Sequence, residues 1–257
     1  MSIEQSFDSI NTNEIFSSLD GELLEIQISR GDKLNALTDE MYGSLISQLK
    51  FAENSDQIKV VFLRSDNKHF SAGNDLADFL ETEFNESSNV VTFLKTIATL
   101  TKPIVCAVGG AVVGIGTTML LHCDLVFASE DSKFSVPFIK LSLTPEGGSS
   151  KLIAQRCGVA KANDWLLTGR TFLAKEAFDS GLINDVFEDT ETTWNNARKT
   201  AQNLAKSSLN VLTQTKSLLK GDQVDSVLDL MTKEAVIFAE CLKSDDSKVA
   251  FKAFLNR

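Results

Sequence analysis

Three almost uninterrupted apolar segments constrain the fold of this chain more than any other feature of its sequence. They cover residues 58–63, 104–108 and 125–128, and each has the length of one strand. A strand covered on both faces lacks the usual alternation of polar and apolar residues. Helical patterns lie between these segments, around residues 90–100 and 116–121. This alternation of strands and helices predicts an α/β fold.

The two ends of the chain differ in pattern. Residues 14–29 predict a hairpin, because alternating apolar residues flank an Asp-Gly turn. From about residue 190 onward the sequence shows helical patterns only. We therefore predict a core of residues 1–190 that holds the active site and a helical C-terminal region of residues 191–257.

The composition narrows the classes of partner. The chain has 257 residues, 43% of them hydrophobic, and a formal net charge of -10 with no basic run. A nucleic-acid partner is not expected, because such proteins present a basic surface. No apolar run is long enough to span a bilayer, and residues 1–20 contain neither a basic residue nor an apolar signal segment. We expect no membrane partner and a cytoplasmic location.

The histidines and cysteines are too few for two common kinds of site. None of the four cysteines forms a C-x-x-C pair, and His69 and His122 are the two histidines. Zinc sites need clustered ligands, so no metal site is expected. His69 has no evident Asp or Ser partner for a triad. His122 follows an apolar helix pattern and is expected to be a packed or capping side chain.

Two glycine-containing segments, residues 71–76 and 109–116, are candidates for a ligand-binding backbone. Gly73 lets the N–H group of Asn74 point into a cleft. The N–H group of Ile115 opens a predicted helix and has no partner within it. Two such donors from separate segments are suited to an oxyanion hole. The alternative is that these glycines serve only turns and close packing.

Glu146 is the candidate acid/base group. It stands between Pro145 and Gly147, at a predicted junction from a loop to a helix. The positive end of a helix dipole would lower the pKa of this carboxyl, whereas burial would raise it. A useful general base needs the second effect at least to offset the first. The alternative is an ordinary glutamate at a surface helix end.

Several short motifs occur in one order along nearly the whole chain. They are Lys33-Leu34-Asn35-Ala36-Leu37, Phe70-Ser71-Ala72-Gly73-Asn74-Asp75-Leu76, residues 102–110, 123–128, 167–170, 174–177 and 181–183, and the terminal residues 244–254. In these motifs and their order, the chain resembles the crotonase (enoyl-CoA hydratase/isomerase) superfamily.

The resemblance implies a crotonase-like spiral of ββα units with a C-terminal helical trimerisation region. It implies a homo-oligomer, either a trimer or a dimer of trimers. It also implies an acyl-CoA thioester substrate in the setting of fatty-acid β-oxidation, with no cofactor beyond the coenzyme A of the substrate.

The resemblance also assigns site residues. It places the thioester oxygen between the backbone N–H groups of Asn74 and Ile115, and it makes Glu146 the catalytic residue. The positions expected to contact substrate are Lys33, Leu34, Ala72, Gly73, Asn74, Asp75, Leu76, Gly114, Thr118, Phe138 and Pro145. Basic candidates for the CoA phosphates are Arg30, Lys33, Lys68 and Lys252, since an acidic protein must concentrate positive charge locally to hold an anion.

Two departures from the family pattern distinguish between its reactions. Hydratases of this family use two glutamates, and those positions hold Thr118 and Phe138 here. The segment Pro145-Glu146-Gly147 instead resembles the 3,2-enoyl-CoA isomerase branch, which uses a single glutamate. The leading hypothesis is therefore a 3-enoyl-CoA to trans-2-enoyl-CoA isomerase. One alternative is another crotonase-type enzyme, either a hydratase or a ring isomerase. The other is a non-catalytic acyl-CoA-binding trimer.

Overall fold

Across residues 11–12, 14–81 and 84–255, which the computed structural model describes, nine strands form two sheets. The larger sheet contains, in spatial order, β1 (Ile15–Asp20), β2 (Leu23–Ile28), β3 (Val60–Ser65), β4 (Ile104–Val108), β6 (Leu125–Ser129) and β9 (Asp185–Phe187). The smaller sheet contains β5 (Ala111–Val113), β7 (Lys133–Ser135) and β8 (Phe172–Leu173).

The helices of the described residues divide into a group within the core and a group at the C-terminal end. The first group is α1 (Asp39–Asn54), α2 (Leu76–Glu81), α3 (Asn89–Thr99), α4 (Ile115–Thr118), α5 (Ser149–Cys157), α6 (Val159–Thr168) and α7 (Ala174–Asp179). The second group is α8 (Thr190–Ala205), α9 (Leu209–Lys220), α10 (Gln223–Lys243) and α11 (Asp245–Leu255). The α/β fold predicted from the alternating segments is confirmed.

The strand pairing follows from the sequence signals. β1 and β2 are antiparallel, with Asp20 opposite Leu23, and form the predicted hairpin. Gly21 in its turn has a φ of +61°, in the left-handed region that glycine adopts without strain. From β2 to β9 every neighbouring pair of the larger sheet is parallel. Parallel strands need crossover connections, and the helices supply them.

The larger sheet is buried on both faces, which explains the continuous apolar segments. Val61 and the alternate residues of the strands pack with α1 and α3 in the main core. Val60 and Phe62 face the other way and pack against Ala197 and Ala201 of α8. Small residues four apart on α8 allow this helix to lie close to the sheet. The predicted boundary between residues 190 and 191 stays a prediction.

Two predicted helices have different boundaries in the structure. The pattern at 116–121 is the single turn α4, followed by a 3-10 turn at Met119–His122. The helix predicted from Gly147 begins at Ser149 instead. Gly147 and Gly148 have φ values of +67° and +74°, which a right-handed helix does not contain.

The last two helices return to the core. α10 packs against α3, and α11 packs against the 3-10 turn Phe138–Leu141. Within the described ranges, no helix combines the length and the apolar character that crossing a membrane requires.

Candidate active site

The two glycine segments pair with each other through the backbone. Ser71 donates its N–H to the carbonyl of Ala111 over 3.0 Å, and Val113 donates to the carbonyl of Ser71 over 2.9 Å. Gly73 has a φ of +97°, and a Cβ atom there would lie 3.1 Å from the carbonyl oxygen of Val113. Position 73 therefore needs glycine for its conformation and for its close approach to the second segment.

The amides of Asn74 and Ile115 are both free to bind a ligand. Neither donates a hydrogen bond to any residue that the structure describes. Ile115 is the first residue of α4, so its N–H has no partner within the helix and lies at the positive end of the helix dipole. The structure thus brings the two predicted donors onto adjacent segments, and their role in an oxyanion hole stays a prediction.

A buried side chain that the sequence did not indicate supports the first of these segments. Tyr42 of α1 is 2% exposed and donates its hydroxyl to the side-chain oxygen of Asn74. Its ring contacts Phe93 with ring centroids 5.5 Å apart. The next residue, Asp75, is fixed by an ion pair with Arg30 over 2.7 Å. Sequence analysis did not single out Tyr42, because nothing in the local pattern marks its hydroxyl as functional.

A cavity of about 680 Å³ opens beside the two amides. Nine of the predicted site residues line it: Lys33, Ala72, Gly73, Asn74, Asp75, Leu76, Gly114, Ile115 and Phe138. Four predicted residues are not among its lining residues: Leu34, Thr118, Pro145 and Glu146. Leu34 is exposed in a left-handed turn, whereas Thr118 and Glu146 are buried.

The apolar end of the cavity is built partly by the C-terminal helices. Phe238 of α10 and Phe251 of α11 line it, together with Phe138. Phe138 and Phe238 meet edge to face with ring centroids 6.4 Å apart. An apolar wall of this kind excludes water from the region where an acyl chain would lie.

Glu146 is buried and not a surface glutamate at a helix end. It is 4% exposed, and the Thr118 hydroxyl donates to its Oε1 over 3.4 Å. Its Oε2 is buried with no hydrogen-bond partner in the described part of the chain. Burial, followed by the negative charge of Glu234, raises the pKa of Glu146 to about 8, and the Thr118 hydrogen bond opposes this. Burial therefore decides the direction of the pKa shift, and helix α5 begins three residues after Glu146.

Three contacts from other elements fix the loop that carries Glu146. The Nε2 of His122 lies 2.8 Å from the carbonyl oxygen of Gly147. Glu234 of α10 accepts hydrogen bonds from the N–H of Gly148 over 2.6 Å and from the hydroxyl of Ser150 over 2.5 Å. Sequence reasoning expected His122 to be a packed or capping group, which the structure confirms.

Sequence reasoning missed Glu234. The signal was present, because this glutamate occupies an apolar helix position with Met231, Ala235 and Phe238, all of which are buried. A carboxylate on such a face needs hydrogen-bond donors from elsewhere in the fold.

Two of the basic side chains expected near the CoA phosphates are paired with carboxylates. Arg30 binds Asp75 inside the site, as described above, and Glu14 over 3.0 Å. Lys68 is 2.9 Å from Asp131 and is not among the residues that line the cavity. Their charges are therefore partly balanced by neighbours.

Two exposed lysines remain at the cavity. Lys33 was expected there, and Lys140, which was not, lines the cavity as well. Lys252 is exposed on α11. Among the described residues, the cationic side chains that line the cavity are thus Lys33 and Lys140.

Comparison with known proteins identifies relatives of more than one activity. A family model described as enoyl-CoA hydratase/isomerase matches residues 19–257. Enoyl-CoA delta isomerase 2 of Rattus norvegicus is 31% identical over 95% of this chain, and the match spans 63% of the rat protein. A probable enoyl-CoA hydratase of Bacillus subtilis is 28% identical over 87% of this chain and 88% of its own length.

A solved structure confirms the predicted fold. The enoyl-CoA hydratase/isomerase from Pseudoalteromonas atlantica T6c has a TM-score of 0.91 and 38% sequence identity, and the match covers 95% of this chain and 97% of that one. The crotonase-like architecture inferred from the ordered motifs is therefore correct. With a family model that extends over nearly the whole sequence, this chain belongs to the enoyl-CoA hydratase/isomerase family.

Proposed function

We propose that this protein converts 3-enoyl-CoA to trans-2-enoyl-CoA with Glu146 as its single proton-transfer group. One observation carries the proposal: the buried carboxylate of Glu146, with one oxygen unpaired among the described residues, contacts the end of the helical turn whose first residue presents a free backbone amide. Thr118, at the end of α4, contacts Glu146, and Ile115, at the start of α4, presents the amide.

The proposed reaction needs no second acid. The ionised carboxylate of Glu146 removes a proton from C2, and the electrons of that C–H bond delocalise toward the thioester carbonyl. The N–H groups of Asn74 and Ile115 stabilise the negative charge on the thioester oxygen. The protonated Glu146 then returns the proton at C4, and the double bond moves from C3–C4 to C2–C3.

The pKa of Glu146 suits this task. A base acts best when its pKa lies near the working pH, and burial holds this pKa at about 8. Among the described residues that line the cavity, the ionisable ones are Lys33, Asp75 and Lys140, and Asp75 is paired with Arg30. The position where a hydratase of this family carries its second glutamate holds the apolar Phe138, which favours isomerisation over hydration.

Incubation with 3-enoyl-CoA and with trans-2-enoyl-CoA in separate reactions tests the proposal. Isomerisation changes the retention of the first compound and leaves its mass unchanged. Hydration adds the mass of one water to the second compound, which would contradict the proposal. A non-catalytic acyl-CoA-binding protein changes neither compound, and Glu146→Gln serves as the control for a contaminating isomerase.

The oligomeric state is part of the same proposal. We propose a trimer, or a dimer of trimers, built largely by the C-terminal helices. Leu218 and Leu219 of α9 are 83% and 80% exposed, as apolar contacts between subunits would be before assembly. Met231 and Phe238 of α10 are buried within the chain and do not contribute to this surface. A monodisperse monomer of 28.1 kDa at micromolar concentration would contradict the proposal.

The family acts in acyl-CoA metabolism, and we propose that this member works in the cytoplasm on fatty acyl-CoA intermediates. Fractionation of the source cells with an antibody to the protein tests the location.

A further inference from the structure

Glu234 is a buried carboxylate that comes from outside the core region of the site. It is 6% exposed on α10, on the face that also buries Met231 and Phe238. Burying a carboxylate is costly unless hydrogen bonds replace its lost hydration. The carboxylate of Glu234 therefore needs hydrogen-bond donors from elsewhere in the fold.

All of the hydrogen bonds described for Glu234 are bonds that it accepts from the start of α5. Its Oε2 accepts from the N–H of Gly148 over 2.6 Å. Its Oε1 accepts from the N–H of Ser150 over 3.3 Å and from the Ser150 hydroxyl over 2.5 Å. The first two are donors that the helix leaves unsatisfied, and the helix dipole there favours a negative charge.

The neighbouring carboxylate of Glu146 has the opposite environment. It receives one long hydrogen bond, from Thr118, and its second oxygen has no described partner. Burial raises the pKa of both carboxyls, but hydrogen bonds from Ser150 and Gly148 oppose this for Glu234, whereas Glu146 has the one opposing bond from Thr118. Because donors favour the charged form of a carboxylate, Glu146 is the one of the pair that takes up a proton first.

We propose that Glu234 is a positioning residue that holds the loop carrying Glu146 and controls the charge of that carboxylate. This inference deepens the proposed function and rests on it for the role of Glu146. It makes the C-terminal helical region part of the proton-transfer machinery as well as part of the cavity wall. Gly148 and Ser150 follow Glu146 by two and four residues, so an anchor there fixes where the loop presents its base.

The other titratable groups that face this loop do not supply a competing charge. Tyr42 of α1 is buried, and burial raises the pKa of its hydroxyl well above the ordinary value, so it stays neutral. Burial lowers the pKa of His122 to about 3, so the imidazole is neutral too, and it donates to the Gly147 carbonyl. The negative charge of Glu234 is the one that acts on Glu146.

Two substitutions distinguish the hydrogen bonds by which Glu234 anchors the loop from the effect of its negative charge. Glu234→Gln keeps a carbonyl oxygen for the Gly148 N–H and removes the charge, whereas Glu234→Ala removes both. Glu240→Gln, at an exposed position of the same helix, is the matched control for the charge change. The measurement is kcat/KM for 3-enoyl-CoA against pH, fitted for the midpoint of its acidic limb and for its plateau.

We expect Glu234→Gln to move the acidic limb to lower pH, because ionised Glu146 then has no adjacent negative charge. At about pH 6 its kcat/KM should exceed that of the wild type by about 3- to 10-fold, since activity changes tenfold per pH unit below the midpoint. Glu234→Ala should show the same limb shift and a plateau lower by about 10-fold or more, as expected for a misplaced base. Glu240→Gln should match the wild type in the midpoint of the acidic limb and in the plateau.

If the midpoint of the acidic limb stays at the same pH in Glu234→Gln and in Glu234→Ala, the proposal is overturned. A merely structural role of Glu234 would lower the plateau of kcat/KM only. Glutamate-selective carboxyl 13C NMR gives a readout that does not depend on the reaction. The resonance absent from Glu146→Gln identifies Glu146, and its titration should fall to lower pH in Glu234→Gln. A wild type without isomerase activity would defeat the proposed function, whereas an unshifted titration of this resonance would defeat the role of Glu234.

Discussion

The two sides of the candidate site use different chemical groups, backbone amides on one side and a side-chain carboxyl on the other. The proposed oxyanion side consists of backbone N–H groups on two adjacent segments, with geometry set by glycines at 73 and 114. The base side consists of the single side chain Glu146 on a loop held by His122 and Glu234. The first side should tolerate changes of its own side chains and fail when a glycine changes. The second should fail when one side chain changes.

The two sides also differ in electrostatics. The amides of Asn74 and Ile115 present positive partial charge to the cavity and have no titratable proton. Glu146 is buried near the carboxylate of Glu234, and burial, followed by that negative charge, raises its pKa to about 8. All pH dependence near neutrality is therefore expected from the base side.

The strongest test of this contrast is Glu146→Gln. The amide keeps the size of the side chain and removes the base, so kcat should fall by at least about 100-fold. Binding of acyl-CoA should change little, because the backbone donors are untouched. In the wild type kcat/KM should rise with pH through about 8, where Glu146 loses its proton, without an alkaline limb from a second catalytic carboxylic acid. Near-normal turnover by Glu146→Gln would remove the base side from the mechanism.

The same variant makes a prediction about stability. Because the pKa of Glu146 is higher in the folded protein than in the unfolded chain, its protonated form stabilises the fold at low pH. That contribution is complete below the unfolded pKa of about 4.5 and is lost as the pH rises through about 8. Glu146→Gln should therefore gain Tm relative to the wild type as the pH increases from 4.5 to 8. A constant difference in Tm across this range would show that Glu146 is not an abnormally weak acid.

On the oxyanion side, Gly73→Ala should have the next largest effect. A Cβ atom there meets the Val113 carbonyl oxygen at 3.1 Å, and the φ of +97° strains any other residue. Displacing the Asn74 amide should lower kcat/KM by about 10- to 100-fold, less than complete loss of one such donor. Gly21→Ala is the matched control, since it has a φ of +61° and no atom within 4 Å of the new Cβ. It should lose stability and keep activity. Equal activity losses in both variants would show that backbone strain alone explains the effect.

The sequence predicted the oxyanion side more completely than the base side. The glycines and the free amide of Ile115 follow from local chain geometry, and the structure places them as expected. The contact of Glu234 with the Gly148 N–H joins α10 to a segment about 85 residues earlier in the chain, so no local pattern could show it. For the same reason the contact between Tyr42 and Asn74 was missed, because it joins α1 to a loop beyond β3. Long-range contacts of this kind set the pKa of a base, and single-segment patterns do not contain them.

Thr118→Val tests the base side, and its effect on kcat/KM should be smaller than that of Gly73→Ala. The variant keeps the shape of the side chain and removes the one hydrogen bond that lowers the pKa of Glu146. The acidic limb should move to higher pH, and kcat/KM at pH 7 should fall by about 2- to 10-fold, as expected for one hydrogen bond of about 0.5–1.5 kcal/mol. The plateau at high pH should be nearly unchanged. An inactive Thr118→Val with an active Glu146→Gln would return the chemistry to α4.

The smallest effect is expected from Ile115→Val, which tests whether the oxyanion side consists of backbone alone. The side chain of Ile115 is fully buried, and its N–H group is the proposed donor. Removing one methylene group should cost about 0.5–1.5 kcal/mol of stability through looser packing. The amide stays at the start of the same helical turn, so kcat/KM should stay within about 2-fold of the wild type, because only the backbone contributes the donor. Thermal unfolding and the pH profile measure the two quantities separately. A loss of activity comparable to that of Gly73→Ala, without a matching loss of structure, would mean that the side chain of Ile115 contacts the reacting group, and the contrast between the two sides would fail.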